Sequence, residues 1–93
     1  MTHAVTRNDE RSRYELEVDG RLVGIADFDV HDSVLVLPHT EIDAAQRGQG
    51  LGALLVAGVL DDVRARGERV VPTCWYVREY MDLHPETIDL LAD

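Results

Sequence analysis

A chain of 93 residues suffices for one domain, able to bury ~60–65% of its unfolded surface, and for no second core. Its net charge of −9, from 18 acidic and 9 basic residues, repels phosphate backbones and anionic lipid. Nucleic acid and membranes are therefore not expected partners, whereas cationic amines suit such a field; the acidity equally serves solubility alone.

No apolar run nears the ~18–20 residues of a membrane span, and Met1 to Arg13 lacks the apolar core of a signal peptide. With Cys74 as the single cysteine, no intrachain disulfide can form, and a cytoplasmic location is the expectation. Residues 1–13 are polar and without periodicity, which predicts a flexible N-terminal tail ahead of a single domain over residues 14–93. Tyr14 to Val18 alternates with period two, as a half-buried strand does. Asp19-Gly20 supplies the positive φ angles of a two-residue hairpin, and Arg21 to Asp29 resumes as the second strand. Val34 to Leu37 is apolar on both faces and reads as a third, central strand. Pro38 cannot donate a ladder bond, so a kink or bulge is expected there before the strand continues through Ile42.

A helix follows from about Gln49 to Arg66. Leu51, Leu55, Val59 and Val63 form one apolar stripe, and Ala53, Val56, Ala57 and Leu60 a second. Arg64 and Arg66 suit the negative end of the helix, and Gly67 its C′ position. Arg69-Val70-Val71 begins a fourth strand, which a right-handed crossover would place parallel to the third. Pro72 should end that pairing and leave the two parallel strands splayed apart. Cys74 to Leu83 and Pro85 to Leu91 read as two short helices.

The stretch Arg47-Gly48-Gln49-Gly50-Leu51-Gly52 places three glycines on alternate positions between an apolar strand and the long helix. The first N–H groups of a helix lack intrahelical partners, and the macrodipole adds roughly half a positive charge there. Glycines let the backbone close around a phosphate or pyrophosphate, so the loop reads as an anion cradle for a nucleotide-like cofactor.

This stretch matches the R/Q-x-x-G-x-G/A pattern of the GNAT superfamily of N-acetyltransferases. His39-Thr40-Glu41-Ile42 before it, and Pro72 to Val77 with Tyr80 and His84-Pro85-Glu86 after it, narrow the match. Together they resemble the small single-domain GNAT-like family with its T-E-V, R-G-x-G-x-G and C-x-Y/F…H-P arrangement. The resemblance covers nearly everything from Tyr14 to Glu86. It implies an α+β, reduced GNAT-like fold: a small mixed sheet with an antiparallel meander, one long helix in a βαβ crossover and short C-terminal helices. It also implies acetyl-CoA as cofactor, held by Ile42, Arg47, Gly48, Gln49, Gly50, Leu51, Gly52, Ala53 and Cys74. Full-size members carry a helical pair between their first two strands, for which Asp19-Gly20 leaves no room.

Transfer to an amine needs the amine deprotonated and the departing thiolate protonated or stabilised. Glu41 is the candidate base, or else an edge carboxylate bracing the loop. His39, on the same strand face, could orient a water or have no role. Tyr80 stands where the resemblance implies the acid for the thiolate, unless it is a core aromatic. Cys74 is either an acyl relay or a lining residue of the pantetheine channel, and Trp75 and Tyr76 read as packing residues or as aromatics in contact with the pantetheine arm. An H-x-E…P-x-C echo of zinc deaminases is set aside because zinc there needs two cysteines, so no metal is expected. The leading function is N-acetylation of an unidentified primary amine, on a protein or a small molecule; the alternative is a non-catalytic acyl-CoA-binding or regulatory module.

Overall fold

The computed structural model describes residues 2–92. Five strands run in sequence order across one sheet: β1 (His3–Asn8), β2 (Arg13–Val18), β3 (Arg21–His31), β4 (Val34–Ile42) and β5 (Arg69–Pro72). The first four form an antiparallel meander, and β5 lies parallel to β4 after the crossover through helix α1 (Leu51–Arg66). Helix α2 (Trp75–Leu83) and a 3-10 turn at Pro85–Leu90 complete the chain, and Leu91 bridges back to Val70. The α+β meander and crossover expected from the sequence are all present.

Local chemistry accounts for the boundaries. Asp19 and Gly20 both adopt positive φ, 51° and 81°, as the β2–β3 hairpin requires. Gly67 closes α1 at φ 72°; its N–H bonds Arg64, and the Glu68 N–H bonds Val63, which is the Schellman pattern. The helix starts at Leu51, two residues later than expected, because Gly50 sits in the left-handed region as its N-cap.

The core is a single cluster between one face of the sheet and the helices. Tyr14, Leu16, Ala26, Phe28, Leu35, Leu37 and Val70 come from the strands. Leu51, Leu55, Val59 and Val63, the whole first stripe, come from α1 with Val56 and Leu60 of the second. Val77 and Met81 of α2 join the same cluster. Among the described residues no helix covers the other face, where Ile25, Val34 and Val36 are half-buried and Leu22 and Val71 exposed. The apolar run Val34–Leu37 marks a strand flanked by β3 and β5, yet only Leu35 and Leu37 are fully buried.

The N-terminal segment corrects the sequence expectation. Residues 3–8 are not a flexible tail but strand β1, paired with β2 from His3–Val18 to Asn8–Arg13. Two long-range contacts supply what its polar sequence conceals. Val5 packs against α1 where Gly58 offers no side chain: a Cβ on Gly58 would stand 2.6 Å from the Val5 Cβ. Arg7 lies over the Phe28 ring, 4.8 Å from its centroid, and donates to Glu68 at 2.7 Å and to Asp9 at 2.8 Å. Burial alone would lower the Arg7 pKa, but its hydrogen bonds to Asp9 and Glu68 outweigh that and raise it.

The neighbouring Tyr14 hydroxyl donates to Asp62 on α1 at 2.7 Å, and Asp62 also accepts from Arg66. Burial, reinforced by the Asp62 carboxylate, raises the Tyr14 pKa.

Two outcomes test this packing. Gly58→Ala should gain up to ~1 kcal/mol of helix propensity, yet the collision with Val5 should make it a net loss of about 1–3 kcal/mol in denaturant unfolding. Tyr14→Phe should cost about 1–2 kcal/mol. Because its folded-state pKa is raised, the Tyr14 contribution is complete below the ordinary tyrosine value of ~10 and is lost as the pH climbs through the raised value. Thermal melts across alkaline pH should therefore fall less steeply for Tyr14→Phe than for the parent.

Candidate active site

The site begins where two strands stop pairing. β4 and β5 are in register from Val34–Arg69 to Leu37–Pro72, and the Cys74 N–H adds one last bond to Leu37 at 2.9 Å. Pro72 brings no donor, and the chain then turns into α2. On the other strand, Leu37 and Pro38 together face the single residue Phe28, a bulge at the position where Pro38 was expected to disturb the ladder. A bulged strand bends, and β4 continues to Ile42 held by β3 alone. The result is a cleft of about 670 Å³. Pro38 to Ile42 form one wall, Thr73 to Tyr76 the other, and the glycine loop closes the end.

Strand alternation assigns each wall residue a direction. Asp43 donates its N–H to Val23 of β3, so the Ile42 carbonyl points the other way, where it accepts from Arg47 Nε at 3.4 Å. By the same alternation Thr40 also turns its backbone polar groups to the gap rather than to β3. Thr40 and Ile42 lie opposite Ala26 and Gly24, on the helix side of the sheet. His39 and Glu41 lie opposite Asp27 and Ile25, on the uncovered side, and both are exposed. The expected pairing of Glu41 and His39 on one face is thus present, and both reach the cleft.

The end of the cleft is held by local bonds. Asp43 caps the 3-10 turn Ala44–Gln46 by accepting from Ala45 at 3.1 Å, and Gln49 donates to Gln46 at 3.3 Å. Gly48 and Gly50 adopt φ of 86° and 74°, and nothing lies within 4 Å of where a Cβ on either would stand. No side chain caps α1 and no acidic residue occupies its first turn. The N–H groups of Leu51, Gly52 and Ala53 therefore point out of the helix end, with the positive pole of the helix dipole behind them. Gly48, Gly50, Leu51, Gly52, Arg47 and Ile42 line the cleft; the side chains of Gln49 and Ala53 do not, so those two positions offer backbone alone.

Tyr76, expected either to pack or to contact the pantetheine arm, lines the cleft. Its hydroxyl lies 2.6 Å from where a Cβ on Gly52 would stand, so the third glycine makes room for this phenol at the mouth of α1. Tyr76 occupies the first turn of α2, at the cleft, whereas Tyr80 is one turn further along. Tyr80 lines a separate cavity of about 100 Å³ with Asp61 and Glu86 and stacks on the His84 ring at 3.9 Å. Burial first, then the Glu86 and Asp61 carboxylates, raise the Tyr80 pKa. The structure therefore does not bring Tyr80 to the cleft with Glu41, His39 and Cys74. The four-residue spacing of the two tyrosines was the available signal: only the one in the first turn stays with the end of β5.

Cys74 is half-buried in the cleft wall, its thiol 3.8 Å from the Thr40 hydroxyl. Trp75 beside it is 72% exposed at the rim, so it is not the packing residue expected from its type.

This arrangement of strands and glycine loop agrees with the comparisons. Residues 13–90 match the family model described as GCN5-related N-acetyl-transferase. The chain belongs to the GCN5-related N-acetyltransferase family. A curated relative, Protein NATD1 of Mus musculus, is 29% identical over 84 residues, covering 87% of this chain and 76% of the relative. Among solved structures, a GCN5-like putative N-acetyltransferase from Staphylococcus aureus superposes with a TM-score of 0.70 at 13% identity, over 96% of this chain and 87% of that one. The ribosomal-protein-S18-alanine N-acetyltransferase from Escherichia coli gives 0.65 at 21% identity, over 84% of this chain. This chain spans 55% of the length of that enzyme. At these identities the structures share the fold. Membership of the family supports acyltransferase activity in general. Among the described residues no helix is long and apolar enough to cross a membrane.

Proposed function

We propose that this protein is an acetyl-CoA-dependent N-acetyltransferase acting on a primary amine. The observation that carries the reading is the uncapped N-terminus of α1, opened by Gly48 and Gly50, at the end of the gap between β4 and β5. The empty Cβ positions of both glycines leave a concave surface lined by N–H groups, which suits a pyrophosphate. The backbone groups of Thr40 and Ile42 turned to the gap suit the amides of a pantetheine arm, which would take the place of the missing strand.

When bound, acetyl-CoA supplies a thioester whose carbon–sulfur bond is exchanged for a carbon–nitrogen bond, the amine losing one proton and the sulfur gaining one. Gly48 to Ala53 would hold the pyrophosphate through backbone N–H groups, and Arg47 would add its charge. The Tyr76 hydroxyl, beside Gly52, would be available to donate to the cofactor from the α2 wall. Glu41, exposed on the cleft and on the uncovered face, takes the amine proton directly or through a water, and His39 orients that water. Cys74 lines the cleft with its thiol hydrogen-bonded to Thr40, which suits a lining residue, and the acetyl group would pass to the amine directly. Tyr80 lies in a separate cavity, so solvent at the mouth would be the source of the sulfur's proton.

Calorimetry with acetyl-CoA and CoA is expected to show micromolar-range binding that Gly50→Glu abolishes, since that change forces a side chain into a left-handed position and adds an anion. Acetyl transfer to a generic amine should fall about 10²-fold or more in Glu41→Gln, the usual weight of a general base, and survive in Cys74→Ala. Binding without turnover would leave a cofactor-binding module. Absence of binding would remove the reading altogether.

A further inference from the structure

The cleft is not the only concavity at Glu41. On the uncovered face of the sheet a second groove of about 410 Å³ runs from the glycine loop across β3 to β2, and it shares Glu41, Ile42 and Arg47 with the cleft. An amine held at Glu41 therefore stands in both spaces: its nitrogen at the cleft, the rest of its molecule in the groove. Acceptor chemistry can be read from what lines that groove.

The whole protein carries −9, which favours a polycation. The groove does not share that bias. Its charged residues are Glu41 and Asp43 beside the loop, Arg47 at the junction with the cleft, and Arg13 at the far end. Between them the floor is apolar, from Leu22 and Ile25. Ile25 lies directly opposite Glu41, and Arg13 pairs with Asp27 one row along, so β3 separates Arg13 from β4. That places the backbones of Arg13 and Glu41 two strand spacings apart across the sheet and two residues apart along it, roughly 12 Å. Side chains reaching in from both ends leave a gap of a few ångströms. The hydrogen bond from Arg13 to Glu15, at 2.9 Å, engages Nε and leaves the terminal Nη groups for a ligand. At the far end, beside Glu15 and opposite Asp27, a ligand's carboxylate would meet the Arg13 Nη groups, whereas an ammonium there would meet the guanidinium.

We propose that the acceptor is a small zwitterion, an amino acid with an apolar side chain. Its amine is held at Glu41, its carboxylate at Arg13, and its side chain lies on Leu22 and Ile25. The proposal rests on the acetyl-transfer reading for the identity of the amine's fate, but the recognition it describes belongs to the groove. Arg13 is a specificity-determining residue here: it grips a part of the acceptor remote from the reacting nitrogen, so it should act on binding rather than on the chemical step.

The test uses L-leucine, its uncharged-terminus counterpart L-leucinamide, and putrescine, each titrated calorimetrically into the full chain loaded with CoA and each offered as acceptor with acetyl-CoA. Leucine should bind and react with a KM at least about tenfold lower than leucinamide, the weight of one charge-assisted hydrogen bond. Arg13→Gln, with an unchanged circular dichroism spectrum, should raise the KM for leucine to that of leucinamide, leave kcat within about twofold, and leave leucinamide kinetics unaltered. Equal or better use of leucinamide or putrescine overturns the proposal, as does an Arg13→Gln variant that keeps the preference. Should acetyl-CoA fail to bind while leucine binds in an Arg13-dependent manner, the transfer reading falls and the groove assignment stands.

Discussion

The rest of the structure depends on one interrupted ladder. Parallel strands normally exchange hydrogen bonds along their whole shared length. Here β4 and β5 do so from Val34–Arg69 to Leu37–Pro72 and then part. Two prolines mark the place where they part. Pro72 ends β5, and Pro38 sits in the bulge that bends β4. Everything chemical lies in or beside the opening: the backbone of Thr40 and Ile42, the glycine loop across its end, and Tyr76 and Cys74 on the opposite wall.

An opening of this kind destabilises a small domain, so the rest of the fold must hold the sheet. The closed part is tied to α1 by a continuous core, and β1 extends the sheet on the side remote from the cleft. Gly58 permits that extension, since any side chain there would push Val5 and its strand away from the helix. Arg7, Tyr14, Asp62 and Glu68 then link β1, β2, α1 and the turn before β5 through hydrogen bonds that are largely sheltered from water. At the other end Arg64 binds both carboxylate oxygens of Asp89 and the Glu86 carbonyl, pinning the C-terminal turn against the helix.

The sheet is covered on one face only, among the described residues. Full-size members, by resemblance, carry a helical pair between their first two strands. With β1 formed by His3–Asn8, that connection is the short turn at residues 9–12, and the Asp19-Gly20 hairpin expected to stand there joins the second and third strands instead. The bare face exposes Glu41 and His39 together with an apolar strip, so the Glu41 carboxylate stands at a boundary between the cleft and an open groove. Net charge describes the field far from the surface, and the groove's balance of Arg13 and Arg47 against Glu41 and Asp43 describes it at contact. Among the described residues the other acids lie outside the groove's lining, on the helices and loops and, with Glu15, Glu17, Asp27 and Asp29, on β2 and β3.

By itself the sequence determined the elements whose signals are local. The Asp19-Gly20 hairpin, the Gly67 cap, the stripe of Leu51, Leu55, Val59 and Val63, the bulge at Pro38 and the end of β5 at Pro72 all follow from backbone restriction or periodicity within a few residues. The glycine loop was legible for the same reason, since a left-handed φ at Gly48 and Gly50 is a property of single residues. Tertiary structure alone decided what depends on distant partners. β1 reads as a tail because its polar pattern carries no period, and its stability comes from Gly58 and Glu68, some fifty and sixty residues away. Tyr76 and Tyr80 are alike in sequence, and only the docking of α2 beside the start of α1 puts one in the cleft and the other in a separate cavity. The uncovered face, and with it the groove from Glu41 to Arg13, arises from cross-strand register, which no single segment encodes.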